Sequence, residues 1–134
     1  MNGATVKVYS LSRDGDKKLS KNFTVKEFAC ADGTNAVFIS DNLVQVMQEI
    51  RSHFGRKAIV HSGYRTVAHN KALKNASPNS QHVYGLACDF HVEGVSPAKV
   101  AAYAEKLLPD TGGIGIYDWG VHIDVRREKS RWKE

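Results

Sequence analysis

Ser80-Gln81-His82-Val83-Tyr84-Gly85-Leu86-Ala87-Cys88-Asp89-Phe90-His91-Val92 alternates from Gly85 onward. In an extended chain Leu86, Cys88, Phe90 and Val92 face one way, and Gly85, Ala87, Asp89 and His91 face the other. Val121-His122-Ile123-Asp124-Val125 repeats the arrangement, with Val121, Ile123 and Val125 opposed to His122, Asp124 and Arg126. Each segment predicts a strand that buries an apolar face and turns ionisable groups to the other side. If the two strands lie in one sheet, Asp89, His122 and Asp124 share a surface, and the small Gly85 and Ala87 leave room above it. An unpaired Asp89 on so apolar a strand is costly, so something must compensate it.

The elements around these strands predict an α+β fold, a small antiparallel sheet packed with helices. Thr5 to Leu11 alternates as a strand, and Arg13-Asp14-Gly15-Asp16 reads as a turn. Thr24 and Glu27 form a capping box, with Phe23 and Phe28 at the positions of a hydrophobic staple. Asp32-Gly33 breaks that short helix. Ser40 or Asp41 caps a longer one, whose stripe is Leu43, Val46, Met47, Ile50 and Phe54 and whose stop is Gly55. Ala58-Ile59-Val60 is a short strand, and His61 to Thr66 a loop into a helix around Val67 to Leu73. Asn75 to Ser80 is a polar loop. Ser96-Pro97 opens a further helix with Val100, Tyr103, Ala104, Leu107 and Leu108 on one face, closed by Pro109 and Gly112-Gly113.

The chain has 134 residues, 42% of them hydrophobic, which is enough for one domain with a core of its own. The domain runs over residues 1–134, with a strand region over 1–20 and a basic tail over 127–134. No apolar run is long enough to span a membrane. Met1 to Thr5 lacks the pattern of a secretory leader, so the expectation is cytoplasmic accumulation and action elsewhere after release. Net charge is +5, and Arg126, Arg127, Lys129, Arg131 and Lys133 crowd the end of the chain. That run is a solvated tail or an attraction to a polyanion, nucleic acid or bacterial wall. The aromatic residues do not interleave with basic ones as in a nucleic-acid module, so no specific nucleic acid is expected. Two cysteines, Cys30 and Cys88, are too few for a disulfide framework.

The chemistry concentrates in two imidazoles, His82 and His122, and two carboxylates, Asp89 and Asp124. Two histidines with one carboxylate make a zinc site with an open position, on the open face of the sheet. Taken singly, His82 could close a turn, Asp89 could accept backbone hydrogen bonds, and His122 could be an ordinary half-buried histidine. His91 shares the face of Asp89 and could be a further ligand, although a strand-end position in solvent suits it better. His61 could reach the pocket, whereas His53 and His69 read as helix-surface residues. Cys88 points away from Asp89. Tyr64, Tyr84, Tyr117 and Trp119 could line a groove.

Ser80-x-His82-x-x-Gly85-x-Ala87-x-Asp89, followed by a later histidine, resembles the zinc D-alanyl-D-alanine carboxypeptidase superfamily. That superfamily includes D-Ala-D-Ala dipeptidases, bacteriophage endolysins and the hedgehog signalling domain. The resemblance extends to Ser62-Gly63-Tyr64-Arg65 and to Val121-His122-Ile123-Asp124, covering roughly Phe23 to Arg126. The short phage-type members look most similar. The resemblance implies one Zn2+ held by His82, Asp89 and His122. It implies an arginine, Arg65, that stabilises the tetrahedral intermediate and a serine, Ser80, that helps hold the substrate. Zinc lowers the pKa of its water to about 7, which supplies hydroxide for attack on a peptide carbonyl. Zinc and a guanidinium then share the oxyanion charge.

One position departs from the pattern. Several branches carry a Glu or Asp general base three residues before the last zinc histidine, where this chain has Trp119. Asp124, on the strand face of His122, is the preferred substitute, and Asp118 the other. Asp124 could instead orient a ligand histidine or pair with Arg65 or Arg126. The implied function is a monomeric zinc metallopeptidase that cleaves bacterial peptidoglycan peptides as a carboxypeptidase or an endolysin-type endopeptidase. The alternative is a non-catalytic binding module on the same scaffold.

Overall fold

The computed structural model describes residues 5–74 and 76–134. Residues 1–4, read above for a leader, and Asn75, the start of the polar loop, lie outside the described residues. The first half of the chain holds β1 (Val6–Ser10), α1 (Leu11–Asp14), β2 (Lys18–Ser20), β3 (Phe23–Thr24), a 3-10 helix (Val25–Phe28), β4 (Ala36–Ser40) and α2 (Asp41–Phe54). The second half holds β5 (Ala58–Ser62), α3 (Val67–Ala72), β6 (Ala87–Val92), α4 (Pro97–Leu107), β7 (Gly113–Ile116), β8 (Val121–Asp124) and β9 (Ser130–Lys133). No helix among the described residues is long and apolar enough to cross a membrane.

Local chemistry sets most of these boundaries. Thr24 and Glu27 form the reciprocal capping box, and the Phe23 and Phe28 rings meet at 5.9 Å across it. The Ser40 hydroxyl accepts from the Asn42 and Leu43 amides and starts α2. Gly55 stops it in the left-handed region at φ 62°. Ser96 caps α4, with Pro97 as its first helical residue.

The main sheet has the order β5-β6-β8-β7-β9. β6 and β8 are antiparallel neighbours in a register that sets Asp89 opposite His122 and Ala87 opposite Asp124. Cys88, Phe90, Val121 and Ile123 therefore point to the other face, where α2 and α4 bring Met47, Ile50, Val100 and Ala104 onto them. This is the α+β architecture expected, with helices on one face and the ionisable groups on the other.

Four features differ from the sequence reading. Leu11–Asp14 is a turn of helix, because the Ser10 hydroxyl caps it. Ala36–Ser40, for which the sequence reading names no element, is a strand paired with β1. Gly113–Ile116 continues past the α4 terminator as a strand. The basic tail is not merely solvated: β9 lies parallel to β7, which makes the sheet mixed rather than wholly antiparallel. Arg131 anchors it through Glu105, at 2.6 Å, and through the carbonyls of Leu108 and Gly112.

Candidate metal centre

His82, Asp89 and His122 each offer a ligand atom, and the three atoms lie within 4.8 Å of one another. Asp89 and His122 are delivered by the β6–β8 register. His82 comes from the turn before β6 and is held by two straps. Its carbonyl accepts from the Arg65 amide at 3.1 Å, and its Nδ1 lies 2.7 Å from the Gly63 carbonyl. Gly85 (φ 75°) closes that turn against β4, where a Cβ would stand 2.6 Å from the Phe38 carbonyl oxygen. Gly85 thus serves a close backbone approach; it is not there to open space for a metal.

The hydrogen bonds decide which ring nitrogens are free. A carbonyl oxygen cannot donate, so His82 Nδ1 carries the proton toward Gly63 and Nε2 is left as a bare lone pair. That Nε2 is buried without a hydrogen-bond partner among the described residues, 3.1 Å from Asp89 Oδ2. His122 Nε2 lies 2.7 Å from Asp124 Oδ2, while its Nδ1 lies 2.8 Å from Asp89 Oδ1. Burial pushes the Asp89 carboxyl up, but hydrogen bonding from His122 leads the influences of the two imidazoles that outweigh it and hold it well below the ordinary carboxylate range. Burial likewise pushes His122 down, and Asp124 and Asp89 outweigh it and raise it. Two imidazole nitrogens thus converge on an anion in a buried setting. The arrangement calls for a proton or a cation between them, and the donor set fits zinc.

Asp124 stands behind His122, on the side of the ring away from Asp89. It is fully buried, and both oxygens are committed. Oδ1 accepts from the Gly113 amide at 2.9 Å and from Arg126 Nε at 2.8 Å. Oδ2 faces His122 and accepts from the second arm of Arg126 at 2.6 Å. This geometry commits both Asp124 oxygens to His122, Gly113 and Arg126 and leaves neither facing the open cavity. Strand alternation puts the two side chains on one face but is silent on which side of the imidazole each group lies.

The site opens into a cavity of about 610 Å3 whose walls include Arg65, Ser80, Tyr117, Arg126, Trp132 and Glu134. Arg65 is brought in, its guanidinium donating to Ser62 at 3.0 Å and reaching Asp89 at 3.3 Å. Ser80 Oγ accepts from the His82 amide at 3.3 Å. Trp119 and Asp118 are exposed and do not line this cavity. Nor do His61 and His91, which pair with each other at 2.6 Å beside Trp119. Of the aromatic candidates only Tyr117 lines it, since Tyr84 is exposed and Tyr64 packs on Phe38. Cys88 is fully buried on the core face, and both cysteines are free thiols. Sequence reasoning missed Trp132 and Glu134. Their one signal was the alternation of Arg131, Trp132 and Lys133 within what reads as a charge run.

The chain was compared with known proteins. It is 34% identical over 110 residues to the probable peptidoglycan L,D-endopeptidase MepK of Haemophilus influenzae, an alignment covering 75% of this chain and 58% of the relative. It is 36% identical over 70 residues to the peptidoglycan L,D-endopeptidase MepK of Escherichia coli K12, covering 48% of this chain and 37% of the relative. The matched part is thus little more than half of one relative and well under half of the other. No solved structure matches the chain. The family profile described as Peptidase M15 matches residues 21–124, from the turn before β3 to the last residue of β8, and so takes in His82, Asp89, His122 and Asp124 together. A match of that extent, over the strands that build the site, establishes that the chain belongs to the peptidase M15 family.

Proposed function

We propose that this chain is a zinc-dependent peptidase that hydrolyses an internal bond of bacterial peptidoglycan peptides. The observation that carries the reading is the convergence of His82 Nε2 and His122 Nδ1 on the Asp89 carboxylate, with each imidazole's other nitrogen already bonded. Three such ligands leave one coordination position open. Zinc held there supplies Lewis acidity, polarising a carbonyl and bringing the pKa of a water to about 7.

The chain's own residues supply the rest. Arg65 is held by Ser62 and Asn70 at the edge of the cavity, where its guanidinium can share the charge that develops on the carbonyl oxygen. Ser80, on the cavity wall, holds the substrate backbone. Asp124 fixes the tautomer and orientation of His122. Glu134 is the carboxylate on the cavity wall besides Asp89, and it is our candidate for moving the proton that Trp119 cannot. Lys74, Arg65 and Arg126 make the rim cationic, which suits wall peptides bearing carboxylates. The names of the two relatives favour an internal bond over a carboxyl-terminal one.

The test is zinc content together with release of fragments from purified wall peptides, in wild type, His82→Ala, Glu134→Gln and Trp119→Ala. The reading requires stoichiometric zinc lost with His82, and cleavage lost with Glu134 while zinc stays bound. Trp119→Ala should retain both. Bound zinc with no cleavage by wild type would instead favour a non-catalytic binding module.

A further inference from the structure

Cys30, Asp32 and His69 take no part in the site described above. Cys30 and Asp32 sit on the segment after the 3-10 helix, and His69 on the first turn of α3. A sulfur, a carboxylate oxygen and an imidazole nitrogen from the three lie within 4.8 Å of one another. The sequence reads His69 as a helix-surface residue. The fold leaves it half-buried, beside the buried Cys30.

Groups that are not ligands hold the set in place. Thr66 Oγ1 accepts from the His69 amide at 3.0 Å and donates to Asp32 Oδ2 at 2.8 Å. The Thr34 amide donates to Asp32 Oδ1 at 2.9 Å. Thr34, through side chain and backbone, and then Thr66 hold the Asp32 carboxyl well below its ordinary range, so it is an anion at any working pH. A cavity of about 210 Å3 adjoins His69 and is lined also by Ala29, Ala31, Ser62 and Arg65.

We infer that Cys30, Asp32 and His69 form a second metal site, for a zinc-type divalent ion, separate from His82, Asp89 and His122. Thiolate with imidazole selects zinc-like ions over magnesium or calcium. Zinc–ligand bonds of about 2.0–2.3 Å in a tetrahedron place ligand atoms about 3.4–3.8 Å apart, so the set closes by side-chain rotations of about 1 Å. Binding deprotonates the Cys30 thiol and releases that proton to solvent. The ion would clamp the 28–34 segment to the loop that carries Gly63 and Arg65. The two already touch, since the Tyr64 amide donates to the Phe28 carbonyl at 2.8 Å and a Cβ on Gly63 would stand 2.7 Å from Phe28 Cα. The site is thus a positioning device for the strap that holds His82.

The two sites can be told apart because only this one contains sulfur. The experiment titrates the reduced full chain with cobalt(II) and follows the near-ultraviolet sulfur-to-cobalt charge-transfer band together with cobalt stoichiometry. Wild type should take up two equivalents, one of them with the band. His69→Gln should weaken the band-forming equivalent at least about tenfold and leave the other intact. Cys30→Ser should abolish the band, and Cys88→Ser should keep it. If Cys30→Ser does not fold, the half-exposed His69→Gln decides. His82→Ala should lose only the sulfur-free equivalent, so failure of the peptidase reading would show there with the band unchanged. A wild type without the band at saturating cobalt overturns the inference, as does a band of unchanged strength and affinity in His69→Gln.

Discussion

His82 and His122 each commit one ring nitrogen to the protein, and different partners make the commitment. Gly63 holds His82 through a carbonyl, while Asp124 holds His122 through a carboxylate that also carries Arg126. Asp124→Asn replaces a buried anion with an amide among groups built for a charge. It is expected to cost about 3–5 kcal/mol of stability, read by urea unfolding, and to weaken zinc binding about 10–100-fold. A base acting on substrate would behave otherwise, losing turnover with zinc affinity intact. His122 also makes metal uptake proton-linked. Its folded pKa is raised by Asp124 and Asp89 against the cost of burial, so wherever the metal-free ring is protonated zinc must displace that proton from Nδ1. Calorimetry in two buffers of different ionisation heat should show proton release that declines as pH rises above the His122 value. At this scale the sequence was informative about identity and weak about direction. The period of two marks His122 and Asp124 as sharing a face, while the Gly63 carbonyl that frees His82 Nε2 lies 19 residues from it and leaves no local signal.

β7 and β9 are, of the elements that local reading did not recover, the two that bear on the site. Gly113-Ile114-Gly115-Ile116 looks like the end of a helix because glycine disfavours strands, yet both glycines make space. A Cβ on Gly113 would stand 2.7 Å from Asp124 Cγ, and one on Gly115 would run into the Trp132 ring. Gly113→Ala is therefore expected to lose about 1–3 kcal/mol by overpacking and to lower zinc affinity through Asp124, measured by unfolding and by competition with a chelating dye. β9 hides for a different reason. Its alternation is carried by Arg131, Trp132 and Lys133, and the anchors that bury Arg131 come from α4 and the loop after it. Trp132 packs 4.9 Å from His122 and beneath Arg126. Trp132→Ala is expected to raise KM for wall peptides several-fold with zinc content unchanged, because it removes a cavity wall and leaves the ligands in place. The capping box, the α2 stripe with its Gly55 stop and the Ser96-Pro97 start were all legible, since each is a contact within a few residues.

At the scale of the molecule, a sheet faced by helices on one side presents its charges on the other, where the candidate ligands His82, Asp89 and His122 meet. Zinc that binds only the folded chain stabilises it by about 2.7 kcal/mol at a hundredfold excess over Kd, about 10 °C in Tm for a domain of this size. The increment should depend on pH in a definite direction. The raised pKa of His122 contributes stability to the metal-free chain that is fully present below the unfolded value of about 6.5 and is lost as pH rises through the folded value. Zinc binding strengthens over the same interval, so thermal melts with and without zinc should diverge as pH increases. Asp89 and Asp124, both depressed, contribute stability above about pH 4 that is lost as pH falls through their folded values. Strand order has a temporal side as well. The sheet runs β5-β6-β8-β7-β9, so its middle strand, β8, is synthesised after β5, β6 and β7, and the edge that walls the cavity comes after it. A ribosome releases His82 and Asp89 well before His122, and Trp132 after all three. During synthesis the nascent chain therefore passes through a stage in which His82 and Asp89 have emerged and their partner His122 has not.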